Sequence, residues 1–391
     1  MVPHFKSRAT HLPTGEPHAK AKPPPATLTR RCLLSGFPID ICSQTFQACG
    51  GQDISMKKLD KFITFCAWAY TLGTILALAL MYATGDRWWP GTMLLFGPRW
   101  MLALPLIPLL PLALWRRPRL CGPLLLAGVI VFGPFMGLQW TLATPQDTND
   151  RELRVLTCNV QTGNFDAKAL SQLIREKDID LVALQECPAS IQLDLPPEWQ
   201  KVQTGIIAVL SRHPIQAHSS ITVMHPPHAW PRHSLLPCTV TTPAGKIIFN
   251  SIYLPSPRYG LQHILDRKTG INPKKNKILA AETENRQKVS AQVRNSLNTE
   301  ELPMIIAGDF NMPSESYIFQ SYWSDLSNAF TKTGIGYGWS YRDASHGIPI
   351  DIRIDHILTG KGVNPLQCYI GPDIGSDHRP VIAYIHIPPS D

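Results

Sequence analysis

Residues 62–85, FITFCAWAYTLGTILALALMYATG, run for 24 positions without a charge. At about 1.5 Å per helical residue this is long enough to cross a hydrocarbon core of ~30 Å. A second such run, CGPLLLAGVIVFGPFMGLQWTLA, fills 121–143. Between them, TMLLFGPRWMLALPLIPLLPLALW (92–115) is interrupted by Arg99, and Pro105, Pro108 and Pro111 would kink a helix there. Proline kinks helices, yet membranes tolerate it where neighbours satisfy the freed backbone groups. The pattern predicts three spans near 62–85, 92–115 and 121–143.

Charge supplies an orientation. Lys57, Lys58 and Lys61 precede the first run, and Arg116, Arg117 and Arg119 fill the short link before the last. Both clusters belong on the cytoplasmic side. Three crossings then place 145–391 on the extracytoplasmic face of an inner or plasma membrane; two would return it to the cytoplasm, so sidedness rests on the middle run. MKKLDKF (56–62) reads as a natural start, which makes 1–55, rich in Pro, His, Thr and Lys, either a disordered extension or no part of the natural product. A cleaved signal peptide starting at Met56 is the competing reading, against which the further spans argue. The net charge of +8 is uneven, because 151–391 holds 23 Lys and Arg against 22 Asp and Glu. A basic pI is therefore no argument for nucleic-acid binding by the C-terminal part.

After a short polar link, TPQDTND (144–150), apolar runs alternate with helical patterns. Buried strands are expected at 153–160, 179–186, 205–211, 246–254, 304–310, 350–358 and 380–387. Helices are expected at 166–178, with Asp166 as N-cap, and around 277–297. Such mixing predicts an α/β (α+β) domain with covered sheets over 145–391, following a membrane anchor over 56–144. Nine cysteines show no repeated CxxC spacing, so no zinc site is signalled. Cys158 and Cys238 read as buried core residues. A disulfide among Cys158, Cys187, Cys238 and Cys368 stays open if this part lies outside the cytoplasm.

The strands end in polar groups. Asn159 closes the first and Glu186 the second, while Asp309 and Asn311 follow IIAG. Asp355 sits inside RIDHIL, and GSDHRP sets Asp377 and His378 before the last strand. An acid in an apolar strand bears a large desolvation cost unless it is paired or coordinates a cation. A capped turn explains one such residue, but not five at successive strand ends.

In order, LTCNVQ, DLVALQE, IYLPSP, AGDFN, RIDHIL and SDHRPV resemble the endonuclease/exonuclease/phosphatase superfamily, the fold of exonuclease III and deoxyribonuclease I. The likeness covers about 150–388. It implies a four-layer sandwich, two packed β-sheets flanked by helices, and hydrolysis of a phosphate ester with Mg²⁺ or Mn²⁺. By the same resemblance Glu186 is the principal metal ligand, Asp377 the second acid, and Asn159 the amide supporting metal or phosphate. Asp309 would orient or deprotonate the attacking water, Asn311 would steady the phosphate, and His378, held by Asp355, would bond a non-bridging oxygen. Tyr253 stands where many members have His and would donate to the phosphate or leaving oxygen. Gln161 replaces an acid of the exonuclease III branch, which favours a single-cation site.

Substrate is less determined than chemistry. Nucleic acid, a lipid headgroup, an inositol phosphate or another phosphorylated small molecule all fit a membrane-anchored, nuclease-like phosphodiesterase. Arg258, Arg267, Lys268, Lys274, Lys275 and Lys277 form either a basic rim or a solvated loop. Tyr337, Trp339 and Tyr341 in GYGWSYR either contact substrate or pack over the sheet. A catalytically weak domain that binds phosphorylated ligands or partners is the alternative. Retention of Glu186, Asp309, Asn311, Asp355 and His378 favours the enzyme.

Overall fold

The apolar segments form helices that carry their hydrophobic side chains outward. In the computed structural model, which describes residues 40–141, 152–225, 230–265, 273–297, 302–344 and 347–387, helix α1 spans Asp40–Thr84. It thus begins inside the segment expected to be disordered; residues 1–39 and the 144–150 link lie outside the described residues. Phe62, Phe65, Leu72 and Leu76 are more than half exposed, as on a helix whose solvent is lipid. Helix α2 (Trp89–Phe96) is followed by Arg99–Arg116, which contains α3 (Leu106–Arg116), and the two are bent by 91°. The middle predicted span is therefore not one continuous helix. Helix α4 (Cys121–Ile130) continues as an irregular turn to Phe135, where Gly133 leaves helical φ/ψ beside Pro134. The last span is shorter than the apolar run, because Gln139–Trp140 (β1) turns into a strand. Among the described residues two stretches, Ser55–Arg87 and Pro118–Phe135, are long and apolar enough to cross a membrane, or three if the bent pair is one span.

The C-terminal portion runs β2 (Glu152–Asn159), α5 (Ala167–Glu176), β3 (Leu181–Gln185), β4 (Gln200–Thr204), β5 (Ile207–Ser211), β6 (Ile215–Ala217), β7 (Ile221–His225), β8 (Trp230–Thr242) and β9 (Gly245–Tyr253). It continues with α6 (Arg258–Leu265), α7 (Pro273–Ser296), β10 (Met304–Asp309), α8 (Tyr317–Tyr322), β11 (Ser327–Asn328), α9 (Ala329–Thr333) and β12 (Ile335–Gly336). Then come β13 (Tyr341–Asp343), β14 (Ile350–Ile352), β15 (Asp355–Thr359), β16 (Asn364–Ile370) and β17 (Val381–His386). One sheet has the order β11-β15-β10-β9-β8-β6, with β7 also on β8; the other has β16-β17-β2-β3-β5-β4. Leu153, Val155, Leu181 and Val209 of the second sheet pack with Leu236, Phe249, Ile305 and Ile357 of the first. Helix α5 covers the outer face of the second sheet through Leu170, Leu173 and Ile174, after Asp166 accepts the Lys168 and Ala169 amides as N-cap. The four-layer α/β sandwich is thus as expected.

Two differences bear on the site. The single strand expected over 350–358 is broken at Arg353 and Ile354: β14 pairs with β13, whereas β15 joins the large sheet. Second, the outer face of that sheet is covered jointly by α7, α8 and the N-terminal helices. Met81, Leu95, Phe96 and Phe135 share one buried cluster with Val293, Phe310, Phe319 and Trp323. Lys57–Asp391 accordingly clusters as one compact unit. Cys158, Cys187, Cys238 and Cys368 are all free and buried.

Candidate active site

Strand register gathers the polar strand ends. Parallel β9 and β10 place Tyr253 beside Asp309, and antiparallel β15 places Asp355 on the other side of Asp309. In the facing sheet, parallel β2 and β3 align Asn159 with Gln185, so Glu186 emerges just beyond. The Asn159 amide nitrogen then joins the two sheets, donating to Glu186 Oε1 at 3.2 Å and Asp309 Oδ2 at 3.1 Å. Its oxygen accepts the Gln161 amide at 2.9 Å. Gly308 permits the close approach of β10 to β9, since an added Cβ would overlap the Ile252 carbonyl oxygen.

Asp309 is almost fully buried and hydrogen-bonded on both oxygens: Oδ1 accepts the Asn311 amide at 2.8 Å, and Oδ2 accepts Asn311 Nδ2 at 3.1 Å. His378 Nδ1 and Asp355 Oδ2 are 2.8 Å apart, and His378 Nε2 lies 4.0 Å from Asp309 Oδ2. Tyr341 packs its ring against His378 at 5.0 Å between centroids. Tyr253 donates its hydroxyl to Glu186 Oε1 at 2.9 Å, and Thr162 donates to Glu186 Oε2 at 3.0 Å. Four of the five described non-glycine residues with positive φ lie here: Gln161, Thr162, Glu186 and Asn311. Such backbone costs about 1–3 kcal/mol per residue and collects at functional sites.

Protonation follows from burial and neighbouring charge. Burial, then the Asp355 carboxylate, pushes Asp309 up to about 8. Burial opposes the charge on His378, yet Asp355 and Asp309 hold its imidazolium up to about 10. The Tyr253 phenol is raised well above its ordinary value by burial and then by Glu186 and Asp309, so it remains a donor. Asp377 is raised by burial and by Glu186, partly offset by His378 and Arg258.

The residues fit a hard divalent cation. Glu186 and Asp377 are the two acids of the set that reach solvent, and the Glu186 charge adds to the burial that raises Asp377. Among the described residues no hydrogen bond reaches the Asp377 carboxylate oxygens. Carboxylate oxygens with room for water are what Mg²⁺ or Mn²⁺ takes. A second cluster, Asp309, Asp355 and His378, has ligand atoms within 4.8 Å of one another. Both Asp309 oxygens, Asp355 Oδ2 and His378 Nδ1 of this cluster are hydrogen-bonded, whereas His378 Nε2 makes no hydrogen bond within it and Asp355 Oδ1 is buried without a partner.

All eight residues singled out in the sequence lie in this region, Asn159 by bridging two carboxylates and Tyr253 by bonding Glu186. Sequence reasoning did not find Thr162 or Ser340, whose hydroxyl accepts the Ile354 and Asp355 amides at 3.1 and 3.0 Å. Nor did it find Arg286, buried beneath the Asn311 loop. In GYGWSYR, Tyr337 and Trp339 stack on each other at 4.7 Å while Tyr341 faces the site. Of the basic segment, Arg258 and Lys277 are exposed, Arg267 and Lys268 lie outside the described residues, and the side chains of Lys274 and Lys275 are not described.

Two packed sheets with an acid–amide–imidazole cluster at one edge define the class, that of phosphoesterase-type α/β sandwiches. The sequence profile of the Endonuclease/Exonuclease/phosphatase family matches residues 156–378, and the chain belongs to that family. Its fold is similar to an endonuclease/exonuclease/phosphatase from Beutenbergia cavernae, at 17% identity over 61% of this chain and 72% of that one, TM-score 0.41. A humanized D. rerio TDP2 is similar at 16% identity over 60% and 99%, TM-score 0.44. The human Nocturnin catalytic domain is similar at 12% identity over 62% and 97%, TM-score 0.42. No match was found among curated proteins.

Proposed function

We propose that the protein is a membrane-anchored, divalent-cation-dependent phosphodiesterase that uses an activated water. The observation that carries this reading is one amide, Asn159, touching both Glu186 and Asp309, with Tyr253, Asn311, Asp355 and His378 around them. Glu186 and Asp377 would hold Mg²⁺ or Mn²⁺, with Asn159, Tyr253 and Thr162 fixing the Glu186 carboxylate. The cation would supply positive charge to the phosphoryl oxygens. Asp309, which burial and Asp355 raise to about 8, would accept the proton from water once ionised. His378, kept protonated by Asp355, would donate to a non-bridging oxygen, and Asn311 would steady the phosphate.

Anchoring and sidedness are supported by where the charges lie. Asp60 pairs with Arg116 at 3.1 Å and Arg117 at 3.2 Å, so both basic clusters share one end of the helices. Asp86 at the other end pairs with Arg286 of the catalytic portion at 2.9 Å. With three crossings, the middle one bent, the catalytic portion would lie opposite the basic, cytoplasmic end. Because the site is tied to the end of α1, esters carried by the bilayer, such as phospholipid headgroups, are a favoured second substrate class beside nucleic acid.

The test is the full chain in detergent with Mg²⁺, Mn²⁺ or EDTA, offered bis-p-nitrophenyl phosphate, DNA, RNA, inositol phosphates and mixed-micelle phospholipid. Metal-dependent turnover, lost in Glu186→Gln and His378→Ala, is expected; turnover indifferent to Glu186→Gln refutes the metal assignment. A periplasm-dependent reporter fused after Asp391 should be active, and a silent one beside an active cytoplasmic reporter refutes the sidedness.

A further inference from the structure

Arg286, on α7, has no solvent exposure although its charge is permanent. Each nitrogen of its guanidinium has a partner. Nε donates to the Pro255 carbonyl at 3.3 Å, Nη2 to the Asn311 carbonyl at 3.2 Å, and Nη1 to Asp86 Oδ1 at 2.9 Å. Pro255 follows Tyr253 out of β9, and Asn311 follows Asp309 out of β10. One planar fork thus joins the two loops that leave neighbouring strands at the site. Its counter-charge comes from the N-terminal helices, because Asp86 stands directly beyond α1. The second Asp86 oxygen accepts from Ser316 Oγ, the N-cap of α8, and from the Ile318 amide at 3.4 Å.

Stability alone does not call for this arrangement. A well-packed apolar pair commonly replaces a buried ion pair at no loss. An apolar pair, however, cannot hold two loop carbonyls at a set spacing. The carbonyl that Arg286 grips at Asn311 belongs to a residue with φ of 50°, a conformation needing external support. We propose that Arg286 and Asp86 are positioning residues: the carboxylate at the end of α1 holds the guanidinium, and the guanidinium sets the separation between the Tyr253 and Asn311 loops. This rests on the phosphodiesterase reading for its effect on turnover, but not for its effect on the loops.

The experiment uses the full chain in detergent, as Arg286→Met, Asp86→Leu, the double variant and Arg286→Lys. The readouts are the thermal midpoint, kcat and KM on bis-p-nitrophenyl phosphate with Mn²⁺, and amide hydrogen exchange over 254–258 and 309–316. Each of the first two singles leaves one buried charge unpaired and should lower the midpoint. The double variant should recover the midpoint, while kcat stays down about 10–100-fold with KM near wild type and both loops still exchange faster. Recovery of kcat and loop protection together with the midpoint would make the pair merely structural and overturn the inference. Should the double variant not fold, Arg286→Lys decides. Its ammonium keeps a charge for Asp86 without the planar fork, so slower turnover and faster loop exchange are expected, and wild-type values for both overturn the inference. If wild-type protein turns over no ester, the phosphodiesterase reading fails; the positioning inference is then judged on loop exchange alone, and unchanged exchange in the variants overturns it.

Discussion

Glu315 lies between two buried guanidinium groups, and changing it to Gln removes the charge while keeping the shape. Its Oε2 is 3.5 Å from Arg99 Nη2 and its Oε1 is 3.9 Å from Arg353 Nη2, and all three side chains are less than a tenth exposed. Burial alone would raise the Glu315 carboxyl, but Arg99 and Arg353 together outweigh it and hold the group below its usual range. Arg353 Nε and Nη1 have no hydrogen-bond partner, so little else compensates that charge. Leaving a buried charge uncompensated costs about 3–5 kcal/mol. That is a large part of the ~5–15 kcal/mol by which domains are stable. For a fold of this size, at about 2–4 °C per kcal/mol, Glu315→Gln should lower the melting midpoint by roughly 6–20 °C at pH 7. The sign of the pH effect follows from the depressed folded value. The charged Glu315 stabilises above its unfolded value near 4.5, and that stability is lost as pH falls through its lower folded value. The gap between wild type and Glu315→Gln should therefore narrow on acidification. Tryptophan-fluorescence melts of the full chain in detergent measure this, with Asp194→Asn as the exposed-pair control, since Asp194 is 85% exposed opposite Arg175. A Glu315→Gln midpoint no lower than that of the control at pH 7 refutes the reasoning.

Tyr253→Phe removes one donor from Glu186 and should cost roughly 10–100-fold in Mg²⁺ affinity or turnover, read by titrating activity against Mg²⁺, with the fold unchanged by circular dichroism. Without metal, stability should fall as pH rises from about 6 to 9. Asp309, raised to about 8, binds its proton more tightly folded than unfolded, and His378, raised to about 10, contributes stability that is lost as pH passes that value. Melts in EDTA should show this slope, and Asp355→Asn, which removes a carboxylate that raises both groups, should flatten it. A soluble fragment beginning at residue 152 strips Arg286 of Asp86 and Glu315 of Arg99. It should unfold at lower urea than the full chain and turn over more slowly, and equal values in both assays would contradict the shared core.

The site was legible because each of its acids breaks an apolar strand, and desolvation makes such a residue conspicuous wherever it falls. Register did the rest, since parallel β9 and β10 and antiparallel β15 leave Tyr253, Asp309 and Asp355 no other arrangement. The supports were not legible. Arg286 sits in a polar helix beside Lys288 and Glu284, which pair in solvent, so nothing local separates the buried charge from the exposed ones. Its partner Asp86 is 200 residues away, and Arg99 lies 216 from Glu315. Long-range ion pairs leave no periodic trace. The break within 350–358 was hidden for a related reason, because the buried Arg353 reads as a solvent-facing residue of an alternating strand. Strand β8, with Pro231 and Pro237 inside it, contradicts the rule that proline ends a strand, and β7 pairs only along part of it.

The mixture of legible and illegible parts has a physical meaning for how the chain works. Arg99 looked like a defect in a membrane span, and as a lone charge in lipid it would be one. In the folded protein it caps Leu95 and Phe135 carbonyls and meets Glu315, so its cost is met by a residue just past the catalytic strand. Asp86 does the same at the end of α1. At these two points a buried partner in the catalytic portion takes the place of water, and both partners bear on the loop after Asp309: Glu315 lies on it, and Arg286 donates to the Asn311 carbonyl. A flexible tether would need neither charge, since water would solvate both ends. Buried, complementary charges at two separate points fix orientation as well as distance. The helices therefore fix the attitude of the site relative to themselves.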